Sequence, residues 1–205
     1  MRGALVFVAG LSLAGVGTTG EAQESKGLSN SSERVVHVCA ACHGEGGNST
    51  VAAFPKLAGQ QPLYTVEQLK LFRSQKRAEL DTQAYMWGVT ALLEDADIQG
   101  LADYYTAQKP SPGKQGNARL VEQGRRIYEQ GVPSKSIRAC ATCHGENGEG
   151  AAVFPRLASQ HSEYLVAQLK VFRTRLRPYA AVMIAEVKNM SDAEMQAVAA
   201  YLQGK

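Results

Sequence analysis

The chain repeats itself, and the repeat limits every fold open to it. His43-Gly44-Glu45 returns as His144-Gly145-Glu146, and Phe54-Pro55-Lys56-Leu57-Ala58-Gly59-Gln60 returns as Phe154-Pro155-Arg156-Leu157-Ala158-Ser159-Gln160. Tyr64, Gln68-Leu69-Lys70 and Phe72-Arg73 reappear as Tyr164, Gln168-Leu169-Lys170 and Phe172-Arg173; these residues lie 100 or 101 positions apart, and the matching pairs near the end of each copy 97. Solenoid repeats run about 20–50 residues; a period near one hundred is a duplicated domain. Between the copies, Lys109-Pro110-Ser111-Pro112-Gly113-Lys114-Gln115-Gly116-Asn117 carries paired prolines and glycines, which stop helices and favour extended chain. The sequence therefore predicts one domain over 23–109, a linker over 110–118 and a second domain over 119–205.

Residues 1–22 read as an export signal. Met1-Arg2 is a short positive start, Ala4 to Gly17 is apolar or small throughout, and Gly20 and Ala22 offer the small side chains that signal peptidase needs, with the cut after Ala22. The apolar run is too short to cross a bilayer. The mature chain of about 183 residues is expected outside the cytoplasm, in the periplasm of a Gram-negative cell. No later stretch has the uninterrupted apolar length of a membrane span, which leaves room only for peripheral membrane association.

Within each copy the apolar spacing is helical. Leu69 and Phe72, and Leu165, Leu169, Phe172 and Leu176, follow three-four spacing with Lys and Arg between them, so these stripes are expected to face a core. Ser191 followed by Glu194 is a capping box that opens a last helix through Met195, Val198 and Leu202, with its counterpart over about 94–107. No run of alternating β-branched residues stands out. The expected class is all-α, with three to five helices per copy. About 90 residues is marginal for a purely apolar core, and a bound macrocycle would add the missing buried surface.

The four cysteines carry the chemistry. They fall as Cys39-Ala40-Ala41-Cys42-His43 and Cys140-Ala141-Thr142-Cys143-His144, with none left over. Two thiols three positions apart can each bond a vinyl group of one haem, and the histidine that follows lies under the iron as its proximal ligand. Disulfides would leave the histidines unexplained, zinc would need a fourth ligand from elsewhere, and a thioredoxin-like motif wants a βαβ setting. Two covalent haem c groups are the reading that uses all six residues.

The distal ligand decides what such a haem does, because a sixth strong ligand closes the iron to substrates. Met86 is the methionine available after the first motif; Met183, Met190 and Met195 follow the second. Aligning the terminal helices pairs Leu93 with Met190 and Ile98 with Met195 as core positions, and pairs Met86 with Met183, the expected distal ligands. The proximal imidazole must also donate from its second nitrogen to fix its tautomer. Pro55 and Pro155, twelve and eleven residues after their histidines, are expected to accept there through their carbonyls. Tyr64, Gln68 and Arg73, with Tyr164, Gln168 and Arg173, either reach haem propionates or form a solvated face. His37 and His161 align with Arg138 and Gln61 and are expected at the surface.

Together the paired Cys-x-x-Cys-His motifs, the Phe-Pro-x-Leu-Ala-x-Gln segment, the Tyr-x-x-x-Gln-Leu-Lys-x-Phe-Arg helix and the later Met resemble the cytochrome c4 family across nearly the whole mature chain. The resemblance implies two class I cytochrome c domains related by a pseudo-twofold axis, haems close enough for fast electron exchange, and His/Met ligation at both irons. It implies an electron carrier, not an enzyme, that passes electrons from a membrane-bound donor towards a terminal oxidase. Trp87 directly after Met86 departs from the second copy, and its bulky ring must find space beside the ligand.

Charge is split between the copies. Residues 23–109 hold 8 Lys and Arg against 10 Asp and Glu, whereas residues 110–205 hold 13 against 8. That asymmetry would orient the molecule as it meets charged redox partners. Nucleic acid is not expected: Arg175-Leu176-Arg177 is the densest basic cluster of the second half, no nucleic-acid motif accompanies it, and a solvated face explains it. The other reading is a cytochrome subunit of an oxidoreductase complex, such as one serving a sulfide-oxidising flavoprotein.

Overall fold

The computed structural model describes residues 30–205 together with Met1. The export signal expected over 1–22 lies outside the described residues. Among the described residues the chain is all-α, its only β pairing being the isolated bridges Val132–Ile137 and Ala151–Phe154. The first copy comprises α1 (Asn30–His43), α2 (Pro62–Arg73), α3 (Leu80–Ala84), α4 (Met86–Thr90) and α5 (Asp95–Ala107). The second comprises α6 (Ala118–Gln130), α7 (Ala141–His144), α8 (Ser162–Arg173), α9 (Ala181–Val187) and α10 (Asp192–Gln203).

The repeat is visible in how each long helix is built and held. Pro62 opens α2, where its missing N–H is no loss, and Phe72 turns inward near the end as Phe172 does in α8. Beyond α8 the chain turns through Arg175, whose φ is +61°. Leu176 therefore lies past the helix and is exposed, not on the core stripe its spacing suggested. At the end of α2, Arg73 donates to the Leu93 carbonyl at 2.7 Å and, with Lys70, grips Asp95 at the start of α5. Arg173 repeats this on the Met190 carbonyl at 3.0 Å and, with Lys170, on Asp192 at the start of α10. Both terminal helices open on capping boxes, Glu94 with Asp97 and Ser191 with Glu194, which satisfy backbone N–H groups that a helix start leaves bare.

Each copy has its own core. Ile98 and Met195 are fully enclosed, and Leu93 and Met190 are buried beside them, as the pairing of terminal helices anticipates. The two copies differ at the entrance to the cysteine motif. In the first, α1 runs straight through Cys39 and Cys42 to His43. In the second, α6 stops at Gly131, where φ is +70° and a side chain would strike the Ile137 carbonyl, and a short loop separates it from α7. The freed α6 crosses α10 at Gly124, where an added Cβ would sit 1.9 Å from the Ala197 carbonyl oxygen.

Candidate haem-binding centres

Both histidines are presented in the same way. His43 ends α1 and His144 ends α7, each followed by a glycine with positive φ that turns the chain sharply away. The Nδ1 of His43 lies 2.8 Å from the Pro55 carbonyl oxygen, and that of His144 lies 3.0 Å from the Pro155 carbonyl oxygen. A carbonyl can only accept, so Nδ1 carries the proton in both rings and Nε2 keeps its lone pair. Both rings are buried, which holds their pKa below the ordinary value and keeps them neutral, against the smaller opposing pull of the proline carbonyls. A neutral imidazole with a free Nε2 and a hydrogen-bonded Nδ1–H is the form that binds a metal. Phe54 and Phe154 stand edge-on to the two rings at the same centroid distance, 6.2 Å, and limit their tilt.

The four thiols are not paired with one another. Burial pushes the thiol of Cys39 up and that of Cys140 up to about 11, so both stay protonated. Met183 packs at the edge of the second core, and Cys140 lies on the same cluster. In the first copy the Tyr85 ring rests edge-on against Phe54 at 5.8 Å, and Phe54 in turn meets His43, so the segment bearing Met86 is tied to the histidine through two aromatic contacts. Trp87 finds its space by turning to the Arg77 carbonyl, to which its indole N–H donates at 2.8 Å. The donors present, two thiols, a neutral imidazole and a thioether in each copy, fit a c-type haem.

The two centres meet across a seam made of exchanged hydrogen bonds. Gln60 takes the Arg156 N–H at 2.7 Å and gives its amide proton to the Arg156 carbonyl at 3.1 Å. Gln160 does the same to Lys56, at 2.9 Å in both directions. Each glutamine therefore clamps the residue that follows the other copy's histidine-supporting proline. One position further on, Gln61 donates to the Glu149 carbonyl and His161 to that of Ser49, each at 3.0 Å. His161 is thus buried in the seam, not at the surface as its lack of a histidine partner suggested.

Deeper in the seam lie Arg77 and Arg177, about 5% and 6% exposed. Arg77 donates to Gln68 at 2.9 Å, Gln168 at 3.0 Å and Glu79 at 2.7 Å; Arg177 donates to Gln168 at 2.8 Å and Gln68 at 2.6 Å. Their rings of contact close on Phe72 and Phe172, each guanidinium lying over one face. Burial would raise the Tyr64 phenol, but the two guanidiniums, Arg177 first, outweigh it and bring its pKa down. Arg177 is therefore no part of a solvated basic face, and Gln68 and Gln168 join the copies instead of facing water. Arg73 and Arg173 are committed to their aspartate clasps. The repeat displays Gln60, Gln160, Arg77 and Arg177, but nothing in a single sequence marks them as serving the opposite copy.

Comparison with known proteins agrees with this arrangement. A model of the cytochrome c family matches residues 32–106 and again residues 121–204. The chain is 40% identical over 172 residues to cytochrome c4 of Thiocapsa roseopersicina, covering 82% of this chain and 86% of that one. It belongs to the cytochrome c4 family. A cytochrome c-552 of Acidithiobacillus ferridurans is 39% identical over 201 residues, 97% of this chain and 84% of that protein. The solved cytochrome c4 of Acidithiobacillus ferrooxidans superposes with a TM-score of 0.76 at 40% identity, covering 82% of this chain and 98% of the other. Like other cytochromes c4, the chain is a di-haem electron carrier and not an enzyme, with two haem c sites of His/Met ligation. Among the described residues no helix is long and apolar enough to cross a membrane.

Proposed function

We propose that this cytochrome c4 relays single electrons between two irons, one held by His43 and Met86 and the other by His144 and Met183, in domains spanning 23–109 and 119–205. The observation that carries the histidine half of the ligand assignment is the pair of Nδ1–H bonds to Pro55 and Pro155, which leaves Nε2 free on both rings; the methionine half rests on the pairing of Met86 with Met183 across the repeat. Bound haem supplies the one-electron iron centre. The chain supplies everything that fixes it: Cys39 with Cys42, and Cys140 with Cys143, anchor each macrocycle, and the proline carbonyls orient the imidazoles and raise their basicity. Met86 and Met183 would hold the iron from the side opposite the histidines, and an iron so held would leave no position for substrates. Arg77 and Arg177, two buried guanidiniums beside the single carboxylate Glu79, would offer positive charge to haem propionates that reached the seam. Replacing Met86 and Met183 singly by alanine tests the ligands. Each change is expected to remove that haem's iron-to-sulfur charge-transfer band, and a band that survives either change refutes the assignment.

The remaining parts of the reading concern place and partner. The pattern over 1–22 supports cleavage after Ala22 and delivery to the periplasm, which N-terminal sequencing of the mature protein tests. The unequal charge of the copies supports docking of a membrane-bound donor on one and a terminal oxidase on the other. Charge reversals in the two halves are then expected to slow reaction with different partners; equal slowing with one partner would sink that idea. Recovery of the native protein bound to a flavoprotein would instead favour the complex-subunit reading.

A further inference from the structure

The pseudo-twofold seam is not symmetric in charge, and the difference leaves a cavity. Arg156, beside its clamp with Gln60, has the Glu149 carboxylate near it. The equivalent cation on the other side is Lys56, and the residue whose carbonyl takes the seam bond from His161, as that of Glu149 takes the one from Gln61, is the uncharged Ser49. There the structure has a cavity of about 160 Å³, roughly five times the ~30 Å³ that one water occupies in the liquid. Its wall is built from both copies and the linker: Ser49 and Lys56 from the first, Ser111 and Lys114 from the linker, Ser159 and His161 from the second.

The polar groups of this wall divide into two sets. The neutral ones are mostly committed: Asn48 accepts from the Ser111 N–H and donates to the Lys109 carbonyl, Ser49 bonds Val51, Ser159 donates to a main-chain oxygen of Lys205, and Gln203 accepts from Ser162. The cationic ones are not. Among the described residues neither the Lys56 nor the Lys114 ammonium makes an ion pair or a hydrogen bond; no carboxylate is part of the cavity wall, and Glu163, just outside it, is near enough to feel both Lys114 and His161. His161 donates Nε2–H to Ser49, so its Nδ1 holds a lone pair that protonation would turn into a further donor. Burial, then Lys56, with a smaller push from Lys114, holds its pKa below the ordinary histidine value, and the Ser49 carbonyl and Glu163 only partly oppose them. Three groups that carry or can carry positive charge thus converge where the mirror position has a built-in carboxylate.

We propose that this cavity binds a small tetrahedral oxyanion, of the sulfate or phosphate class, through Lys56, Lys114 and His161, and that the anion fastens the linker and both copies together. The bound anion stands where Glu149 stands in the mirror site, and it draws a proton onto His161, since an opposite charge favours the charged imidazole.

The test uses the mature di-haem protein, fully reduced, at low ionic strength and pH 6.5. Isothermal titration with sodium sulfate and with sodium phosphate is expected to give saturable binding of one ion per chain, while sodium chloride at matched ionic strength gives none. Binding should weaken at least tenfold in Lys56→Gln and in Lys114→Gln. His161→Gln, the residue the first copy carries at the equivalent position, should keep weaker binding but lose the accompanying proton uptake and the rise in the His161 pKa seen by NMR. A phosphate carried by a lipid headgroup shares this chemistry, so co-sedimentation with phosphatidylglycerol vesicles, against phosphatidylcholine ones, tells the two sources apart. Vesicle binding that sulfate displaces and Lys114→Gln abolishes assigns the headgroup. Absence of saturable binding, or binding that all three variants leave unchanged, overturns the site.

Discussion

Replacing Arg77 and Arg177 by methionine, one at a time, separates two residues that the repeat makes equivalent. Both are buried in the seam and both donate to Gln68 and Gln168. Only Arg77 also holds a carboxylate, Glu79, itself buried at 5% exposure; the equivalent position in the second copy is Tyr179, which is exposed. Removing Arg177 forfeits hydrogen bonds from a charged donor, about 1.5–3 kcal/mol, and leaves both amide oxygens bonded to Arg77. Removing Arg77 strands a buried carboxylate, which costs about 3–5 kcal/mol. At about 2–4 °C per kcal/mol for a chain of this size, the thermal midpoint should fall by roughly 6–20 °C for Arg77→Met and by roughly 3–12 °C for Arg177→Met. Any pairing with haem carboxylates common to the two arginines cancels in this comparison; the Glu79 contact does not. Glu79→Gln should therefore recover part of the loss in the Arg77→Met background and none of it in the Arg177→Met background. The assay is thermal unfolding followed by circular dichroism, on protein verified to carry two haems per chain. Equal losses at the two positions, or no recovery by Glu79→Gln, would refute the reasoning.

Gln60→Ala and Gln160→Ala each remove two bonds across the seam and bare a backbone N–H and carbonyl, at about 1–3 kcal/mol; the double variant should split one calorimetric transition into two, and a single unshifted transition would mean that the seam is held elsewhere. Gly124→Ala drives a methyl group into the Ala197 carbonyl and should cost upwards of about 1–3 kcal/mol, with the second domain melting first. Asp95 and Asp192 have their pKa values lowered by hydrogen bonds from Arg73 and Lys70, and from Arg173 and Lys170. A carboxylate depressed in the fold stabilises above its unfolded value, near 3.8, and loses that contribution as pH falls below it. Asp95→Asn and Asp192→Asn should thus change stability little at pH 3 relative to pH 7, where added salt should also reduce their effect.

The hydrogen bonds from both histidines to the proline carbonyls and the burial of the paired terminal helices were legible in the sequence, the first because it rests on spacing within one copy and the second because the two copies can be aligned. The proline assignment illustrates why: a tautomer must be fixed, the acceptor must come from a rigid segment shortly after the histidine, and the repeat shows one such segment twice. Leu176 misled because three-four spacing continues past the point where the helix stops, and the left-handed turn at Arg175 carries no glycine to announce it. His161 and Arg177 misled for a different reason. A lone histidine and a basic cluster are read as surface when only their own copy is considered, and both are buried by the other copy, against residues 112 and 109 positions away.

That last failure says where the two copies have ceased to be duplicates. Within each domain, the clasps, capping boxes and histidine supports match almost bond for bond. At the seam, symmetry would place identical charges against one another, and two buried guanidiniums a few ångströms from shared amide oxygens already carry that cost. Charge symmetry is broken there at three places: Glu79 against Tyr179, Glu149 against Ser49, His161 against Gln61. Each change puts a charge, or the capacity for one, on one side only. A duplicated electron carrier that kept its haem supports fixed while unbalancing the surface between them has a physical means of making the two irons inequivalent, since the charge around a haem is among the levers that set its potential.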